Sequence, residues 1–268
     1  MMSRWLTIFC LNCVMAALPC AALAESREAL VIGNSVYKEV PLRNPGNDAA
    51  AMDKALRRLG FSTQLVKDAD WKRMIESVRA FVSRSSGADV RLIYYAGHGA
   101  QVRGRNYLIP VDAPMASVDD LISRSVEVNE LLDRLSRNSR GVNILILDAC
   151  RNNPASQYQL LADGRRIKVR GAAQGLAAMQ VPAGALVAFS TSPGSVANDH
   201  AGNENSLYTK YLLKNIATPG ISLEQMFKRV RIGVMRDSQQ KQRPWEESSL
   251  VVDYCLAPGA AGACPARY

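Results

Sequence analysis

Histidine is nearly missing from this chain of 268 residues, which contains only His98 and His200. Chemistry that needs an imidazole is therefore restricted to two positions. No pair of cysteines lies close to either histidine, which excludes a zinc finger. A phosphate-binding P-loop, the Gly-x-Ser-x-Gly turn of esterases and a complete dinucleotide-binding fingerprint are also absent from the sequence.

Long apolar runs and blocks of like charge are scarce as well. Beyond the first 24 residues no apolar run reaches 18 residues, which favours a soluble mature protein. Lys and Arg number 33 against 24 Asp and Glu, but the net charge of +9 is scattered along the chain. We therefore predict no nucleic-acid partner. The apolar share of 48% is close to that of globular proteins and excludes disorder as the main state.

Residues 1–24 have the pattern of a secretory signal peptide. An arginine near the start precedes the apolar run Trp5–Leu18, and Ala22–Ala24 offers a small-residue cleavage site. We expect export to the periplasm or the exterior, with no membrane attachment after cleavage. A membrane anchor is the alternative, but the run is short and Asn12 and Pro19 interrupt it.

Signal cleavage would leave three of the six cysteines, Cys150, Cys255 and Cys264. Export implies an oxidising compartment. Because Cys255 and Cys264 are nine positions apart in a tail rich in Pro, Gly and Ala (255–268), we hypothesise that they form a disulfide. Cys150 would then be a free thiol that needs an explanation.

The mature chain alternates short apolar runs with segments of helical periodicity. This alternation predicts a mostly parallel sheet of about six strands, covered by helices on both faces. Predicted strands are 28–33, 61–66, 90–95, 142–147 and 185–190, with 107–111 as a short strand and 250–252 as an edge strand; predicted helices are 47–59, 70–83, 126–135, 207–216 and 223–235.

Residues 25–254 are predicted to form one domain. Inside it, 155–182 has few apolar anchors and a cluster of basic residues, which predicts a long loop or linker.

Open α/β sheets place their functional sites at the carboxyl ends of strands. His98 follows one predicted buried strand and Cys150 follows the next, so the two side chains would approach each other if these strands are neighbours. A thiolate is a strong nucleophile and an adjacent imidazole can take and return its proton, which predicts a catalytic pair. The backbone N–H groups of Gly99 and Cys150 are candidates for an oxyanion hole. His200, the competing base, lies in a polar loop without a preceding strand.

Four sequence motifs are similar to those of one peptidase family: Leu-Val-Ile-Gly-Asn-Ser-Val-Tyr at 30–37, Tyr-Tyr-Ala-Gly-His-Gly at 94–99, Leu-Ile-Pro-Val-Asp at 108–112 and Asp-Ala-Cys-Arg-Asn at 148–152. Over roughly 28–217 the chain resembles the caspase-like cysteine peptidases, nearest to their bacterial metacaspase and paracaspase-like branch. The resemblance implies a three-layer α/β/α sandwich, His98 and Cys150 as the catalytic dyad, and no required cofactor.

The resemblance also implies a substrate class. Caspases have Gln and Gly where this chain has Asp148 and Asn152, and they cleave after Asp. The metacaspase and paracaspase branch shares the acidic residue two positions before the cysteine and cleaves proteins and peptides after Arg or Lys, which a carboxylate can bind. Asp48 matches the family's second acidic pocket residue, and Asp199 loosely matches a third. The alternatives are a helix first-turn residue for Asp48 and a surface residue for Asp148.

Cleavage after Arg or Lys would make the basic linker a site of self-processing. Candidate self-cleavage residues are Arg165, Arg166, Lys168 and Arg170. A solvated basic loop is the alternative.

Three questions stay open at this point. Calcium activates some metacaspases, and oxygens of Asp112, Asp119 and Asp120 are available, but no defined calcium loop is present, so metal binding is unknown. A catalytically silent interaction module with the same fold and an enzyme of another acyl-transfer chemistry, such as ligation, are the alternatives to a hydrolase. The oligomeric state is not predicted.

Overall fold

A computed structural model of the chain describes residues 25–114, 118–137, 141–149, 159–162, 165–168, 172–173, 176–192, 204–259 and 264. Its strands are β1 (Arg27–Gly33), β2 (Ser62–Lys67), β3 (Val90–Ala96), β4 (Gly99–Val102), β5 (Arg105–Leu108), β6 (Val126–Glu127), β7 (Val142–Asp148), β8 (Gln159–Ala162), β9 (Arg165–Lys168), β10 (Ala172–Ala173), β11 (Ala185–Phe189) and β12 (Trp245–Ser248). Its helices are α1 (Pro45–Arg58), α2 (Trp71–Arg84), α3 (Val118–Ser123), α4 (Val128–Ser136), α5 (Leu207–Asn215) and α6 (Leu223–Asp237).

A six-stranded sheet in the order β12-β11-β7-β3-β1-β2 forms the centre of the fold. Every neighbouring pair in it is parallel except β11 and β12, so the prediction of a mostly parallel sheet of about six strands is confirmed. The register aligns Gly33, Ala96 and Asp148 across β1, β3 and β7. These three strands therefore end at the same edge of the sheet.

Helices cover both faces of the sheet because its central strands are apolar on both sides. All seven residues of β3 are buried, and its apolar residues pack in two different cores. Leu92 and Tyr94 pack in the core that contains residues of α1, α5 and α6, whereas Ile93 and Tyr95 pack in the core that contains residues of α2 and α4. This gives the three-layer α/β/α arrangement, and it sends the two adjacent tyrosines to opposite faces.

A second, small sheet follows His98 in the order β10-β4-β5-β6. The hairpin of β4 and β5 turns through Arg103 and Gly104, which both have positive φ, as a two-residue type I′ turn requires. The predicted strand at 107–111 is shifted to 105–108, and β4 was not predicted, because it is only four residues long and begins with Gly and Ala. Most of the predicted helix at 126–135 corresponds to α4, which begins two residues later, after β6.

Two expectations about the second half of the chain are wrong. The edge strand is β12 at 245–248 and not 250–252; its sequence Trp-Glu-Glu-Ser has no apolar run that a pattern search could find. The predicted loop at 155–182 contains an antiparallel hairpin of β8 and β9, and β10 pairs with β4. Backbone pairing does not require apolar side chains, so a basic composition did not exclude it.

The C-terminal tail is attached beside the first strand. Cys255 and Cys264 form a disulfide, with a Cα–Cα distance of 5.4 Å. The Arg27 guanidinium donates from Nη1 to the carbonyls of Leu59 at 3.0 Å and Leu256 at 2.7 Å. The residues of the predicted signal peptide, 1–24, lie outside the described part of the chain, and within that part no helix has both the length and the apolar character to cross a bilayer.

Close packing of α6 on α5 leaves no room for a side chain at Gly233. A Cβ atom there would lie 2.2 Å from Cδ1 and Cε1 of the buried Tyr211 ring. We expect Gly233→Ala to lower the free energy of unfolding by about 1–3 kcal/mol, the usual cost of overpacking, despite the better helix propensity of alanine. Urea denaturation measures the change; Gly87→Ala, where a Cβ meets nothing within 4 Å, is the control. A stabilised Gly233→Ala variant would contradict this packing.

Candidate active site

The structure describes some of the predicted site residues and leaves others outside. His98, Gly99, Asp48 and Asp148 are described. The other candidates, Cys150, Asp199, His200 and Arg170, lie outside the described residues. For Arg165, Arg166 and Lys168 the backbone is described, as part of β9.

The two motif segments meet at the carboxyl edge of the sheet. β3 and β7 are parallel neighbours, with Ala96 opposite Asp148, and the Gly97 N–H donates to the Asp148 carbonyl at 3.3 Å. A Cβ atom placed on Gly99 would lie 3.0 Å from the carbonyl oxygen of Ala149. The backbone around His98 therefore packs against the two residues that immediately precede Cys150.

The His98 imidazole is buried and its tautomer is determined by a backbone contact. Its Nε2 lies 2.8 Å from the carbonyl oxygen of Val40. Because a carbonyl only accepts hydrogen bonds, Nε2 must carry a proton, and the basic nitrogen of the neutral ring is Nδ1. The Tyr37 ring packs against the imidazole with ring centroids 4.3 Å apart and planes tilted by 56°.

Two buried tyrosine hydroxyls contact the backbone of His98 on both sides. Its N–H donates to the Tyr37 hydroxyl at 2.9 Å, and the Tyr95 hydroxyl donates to its carbonyl at 2.7 Å. Burial raises the pKa of both phenols far above 10, so both stay neutral. A Cβ atom at Gly97 would lie 2.6 Å from the Tyr95 hydroxyl oxygen, so only glycine fits beside this pair.

The tyrosine contacts predict an effect on catalysis in a Tyr95→Phe variant. Loss of the hydroxyl removes one of the donors that hold the His98 carbonyl, and small misplacements of a catalytic group are costly, so with His98 as the predicted acid–base residue we expect kcat to fall about tenfold with little change in KM. Steady-state kinetics on an Arg-terminated peptide measures this. Tyr254→Phe, which removes a hydroxyl that binds Glu25 away from the site, is the control. An unchanged kcat with a lowered melting temperature would show that Tyr95 is only structural.

Two carboxylates are buried at the same edge of the sheet, on the face that α1 and α5 cover and not on the face where Tyr95 packs. Asp48 is 0% exposed and lies in the first turn of α1, and Asp148 is 1% exposed at the end of β7. Ser206 contacts both of them: its N–H donates to Oδ1 of Asp48 at 2.9 Å and its hydroxyl donates to Oδ2 of Asp148. The alternative of a surface residue for Asp148 is therefore wrong, and the structure brings the two predicted pocket acids together.

Further donors contact each carboxylate. The Asn205 side-chain amide donates to Oδ1 of Asp48 at 2.9 Å, and the Thr209 hydroxyl donates to Oδ2 of Asp148 at 3.0 Å. Such bonds offset part of the cost of removing a carboxylate from water. Sequence reasoning missed Asn205, Ser206 and Thr209; a serine just before a helical pattern indicates an N-cap, but no local signal connects it to distant acids.

The Gly99 N–H, in β4, is directed away from the neighbouring strand β5. The Ile109 N–H donates to the His98 carbonyl at 3.1 Å, which makes Gly99 and Leu108 a pair without mutual hydrogen bonds. In such a pair the N–H groups point away from the partner strand. The Gly99 N–H is thus not consumed by pairing with β5.

A cleft adjoins His98, and neither Asp48 nor Asp148 lines it. Its lining includes Tyr37, Lys38, Val40, His98, Asp112 and Pro114. Asp112 accepts a hydrogen bond from the Trp71 N–H at 2.7 Å, at the start of α2. Within the described ranges no group of three or more His, Cys, Asp or Glu side chains is placed to hold a metal ion.

The chain belongs to the caspase domain family, whose model matches residues 26–254. This confirms the resemblance indicated by the motifs. One relative is the human mucosa-associated lymphoid tissue lymphoma translocation protein 1. It is 29% identical over 193 residues, which cover 71% of this chain and 22% of that protein. Its Mus musculus homolog is also 29% identical over 193 residues, covering 21% of its length. The chain thus spans about a fifth of the length of these curated relatives.

Proposed function

We propose that this protein is an exported cysteine endopeptidase that hydrolyses peptide bonds after Arg or Lys. The observation that carries the proposal is the pair of buried carboxylates, Asp48 and Asp148, at the sheet edge where the backbone of the His98 motif contacts Asp148. Export rests on the signal-peptide pattern of residues 1–24.

In the proposed mechanism the Cys150 thiol is the nucleophile and His98 is the acid–base residue. Nδ1 of His98 takes the thiol proton, and the thiolate attacks the carbonyl carbon of the scissile bond. The imidazolium then gives its proton to the leaving amine. The C–N bond breaks, which releases the first product and leaves the acyl group on Cys150 as a thioester. A water molecule, deprotonated by His98, attacks the thioester, and the thiolate departs and recovers the proton. The Val40 carbonyl accepts the Nε2–H throughout and favours the charged ring.

The negative charge that develops on the substrate oxygen needs donors in place before the reaction. The N–H groups of Gly99 and Cys150 are proposed for this role, and one such donor is typically worth about 2.7–4 kcal/mol. The direction of the Gly99 N–H, away from β5, supports its assignment.

Substrate preference is proposed to follow from charge. Asp48 and Asp148 have lost nearly all contact with water, so a guanidinium or ammonium group from the substrate would meet two weakly screened negative charges. An aspartate in the same place would add a third negative charge, which disfavours cleavage after Asp. Asp199, outside the described residues, is proposed as a further acid of this pocket.

Self-processing is proposed at Arg165, Arg166, Lys168 or Arg170. Cleavage within β9 would require its hairpin with β8 to open, since a peptidase binds its substrate as an extended single strand. We expect two fragments from purified wild-type protein and only full-length protein from Cys150→Ala, measured by gel electrophoresis and mass spectrometry. Full-length wild type that stays intact while it cleaves peptides would contradict self-processing.

The experiment that tests the proposed function uses a thiol-directed peptidyl inhibitor ending in Arg. Labelling of Cys150, found by peptide mapping, together with cleavage of the matching Arg and Lys peptides, would support the peptidase. Absence of both would favour a silent interaction module. Ligation would be favoured if, with an amine nucleophile added, the products are peptide–amine conjugates and not free acids.

A further inference from the structure

Ser206 contacts both pocket acids, although no sequence motif connects it to them. We propose that Ser206, together with Thr209, is a positioning residue that orients Asp148 toward the basic side chain of the substrate and so determines selectivity for it. The inference rests on the proposed function, since it concerns how that pocket obtains its selectivity.

The direction of each hydrogen bond in this cluster follows from counting protons. Thr209 donates its single hydroxyl proton to Asp148, so the Tyr94 hydroxyl, 2.6 Å from Thr209 Oγ1, must be the donor in that pair. Ser206 accepts the Thr209 N–H at 3.0 Å and donates its own proton to Asp148. Two of these protons, those of the Ser206 and Thr209 hydroxyls, point toward one carboxylate oxygen, Oδ2 of Asp148, and the other two hold these hydroxyls in place.

This arrangement determines which oxygen of Asp148 is used by the protein. Oδ2 receives both hydroxyl donors, and none of the described residues donates to Oδ1. The carboxylate plane is thereby held in one orientation, and Oδ1 is the oxygen that we propose meets the substrate cation. Without the Ser206 hydroxyl, Asp148 can rotate, and a cation would bind a less defined charge.

The cluster lies on the opposite face of the sheet from the contacts that hold His98. Tyr94 packs in the core of α1, α5 and α6, whereas Tyr95, which donates to the His98 carbonyl, packs in the other core. Loss of the Ser206 hydroxyl should therefore affect substrate binding and leave the acid–base residue in place. The expected signature is a change in KM that kcat does not share.

A purely structural role for Ser206 predicts a different outcome. Ser206 is also the N-cap of α5, and removal of a cap destabilises a helix whatever its function. Ser222 provides a matched control, because it caps α6 by accepting the Gln225 N–H at 3.3 Å and contacts neither acid. Ser222→Ala therefore reports the effect of losing a cap alone.

The test compares Ser206→Ala, Ser206→Thr and Ser222→Ala on two peptides that differ only in Arg or its neutral isostere citrulline before the scissile bond. For Ser206→Ala we expect KM on the Arg peptide to rise about tenfold, the effect of one lost hydrogen bond to a charge, with kcat within about twofold. The ratio of kcat/KM for Arg over citrulline should fall by a similar factor. Ser206→Thr, which keeps the hydroxyl, should have the KM and the Arg-over-citrulline ratio of the wild type, and Ser222→Ala should change neither quantity.

Thr209→Val supplies a second measurement that does not depend on Ser206→Ala folding. It removes the other hydroxyl donor to Asp148 with little change in shape and keeps the backbone N–H that the cap uses. We expect the same rise in KM and the same loss of Arg selectivity.

The outcomes separate this inference from the proposed function. Wild type that cleaves both peptides equally, or neither, would contradict the proposed function and the inference with it. Wild type that prefers Arg, with a preference that Ser206→Ala and Thr209→Val both retain, would overturn the inference alone. A loss confined to kcat in those variants would overturn it as well.

Discussion

Cleavage of Arg- and Lys-terminated fluorogenic peptides is expected to disappear in a Cys150→Ala variant, with kcat lower by about four orders of magnitude or more. Alanine offers no nucleophile, and the imidazole that remains can only assist water. The substitution removes a single sulfur atom and leaves the charges of the pocket unchanged, so binding of a substrate peptide should persist.

Two measurements make this expectation specific. Calorimetric titration of Cys150→Ala with an uncleaved Arg peptide should give an affinity near that of the wild type, and the melting temperature should be similar. His98→Ala should lose nearly as much kcat, and the double variant little more, because nucleophile and base act as one unit. Substantial cleavage by purified Cys150→Ala would refute its role as the nucleophile.

Replacement of Asp148 by asparagine should be the most damaging change to substrate selection. The substitution keeps the shape of the side chain and removes its charge. Removal of one side of a buried charge pair costs about 2–5 kcal/mol. We therefore expect kcat/KM on an Arg peptide to fall by about two orders of magnitude or more. Activity on the matched citrulline peptide should change far less. Asp53→Asn, which alters a carboxylate of α1 that pairs with Arg57, is the control.

The neighbouring acid permits a double-mutant cycle. Because Asp48 and Asp148 both bind Ser206, their substitutions to asparagine should not be additive. If Asp148→Asn keeps its preference for Arg over citrulline, the carboxylate does not bind the basic side chain and the pocket assignment is wrong.

The parts of the fold that were predictable are those with a strong local signal. β3 and β7 are mostly apolar, with Arg91 and Asn143 as interruptions, and polar residues follow their ends, so sequence alone indicates both the sheet and the edge proposed to be functional. Sequence alone does not determine that the two strands are neighbours, which brings the His98 motif against Asp148, because strand order depends on packing of the whole chain.

The parts that could not be predicted depend on contacts between distant positions. Ser206 lies 58 residues from Asp148 and 158 from Asp48, and no periodicity reports such a contact. The hydroxyls of Tyr37 and Tyr95 are in the same situation, since both tyrosines are counted only as apolar residues in a pattern of burial. β12 was missed for a different reason: an edge strand with one exposed side needs few apolar residues.

We propose that one thiol, Cys150, and one acidic pocket make this chain a peptidase specific for basic residues. The most direct measurement is a profile of wild type and Cys150→Ala, side by side, on a peptide library that varies every position around the scissile bond. We predict cleavage by the wild type only, after Arg and Lys and not after Asp. Cleavage without that preference, or an identical profile from Cys150→Ala, would contradict the account.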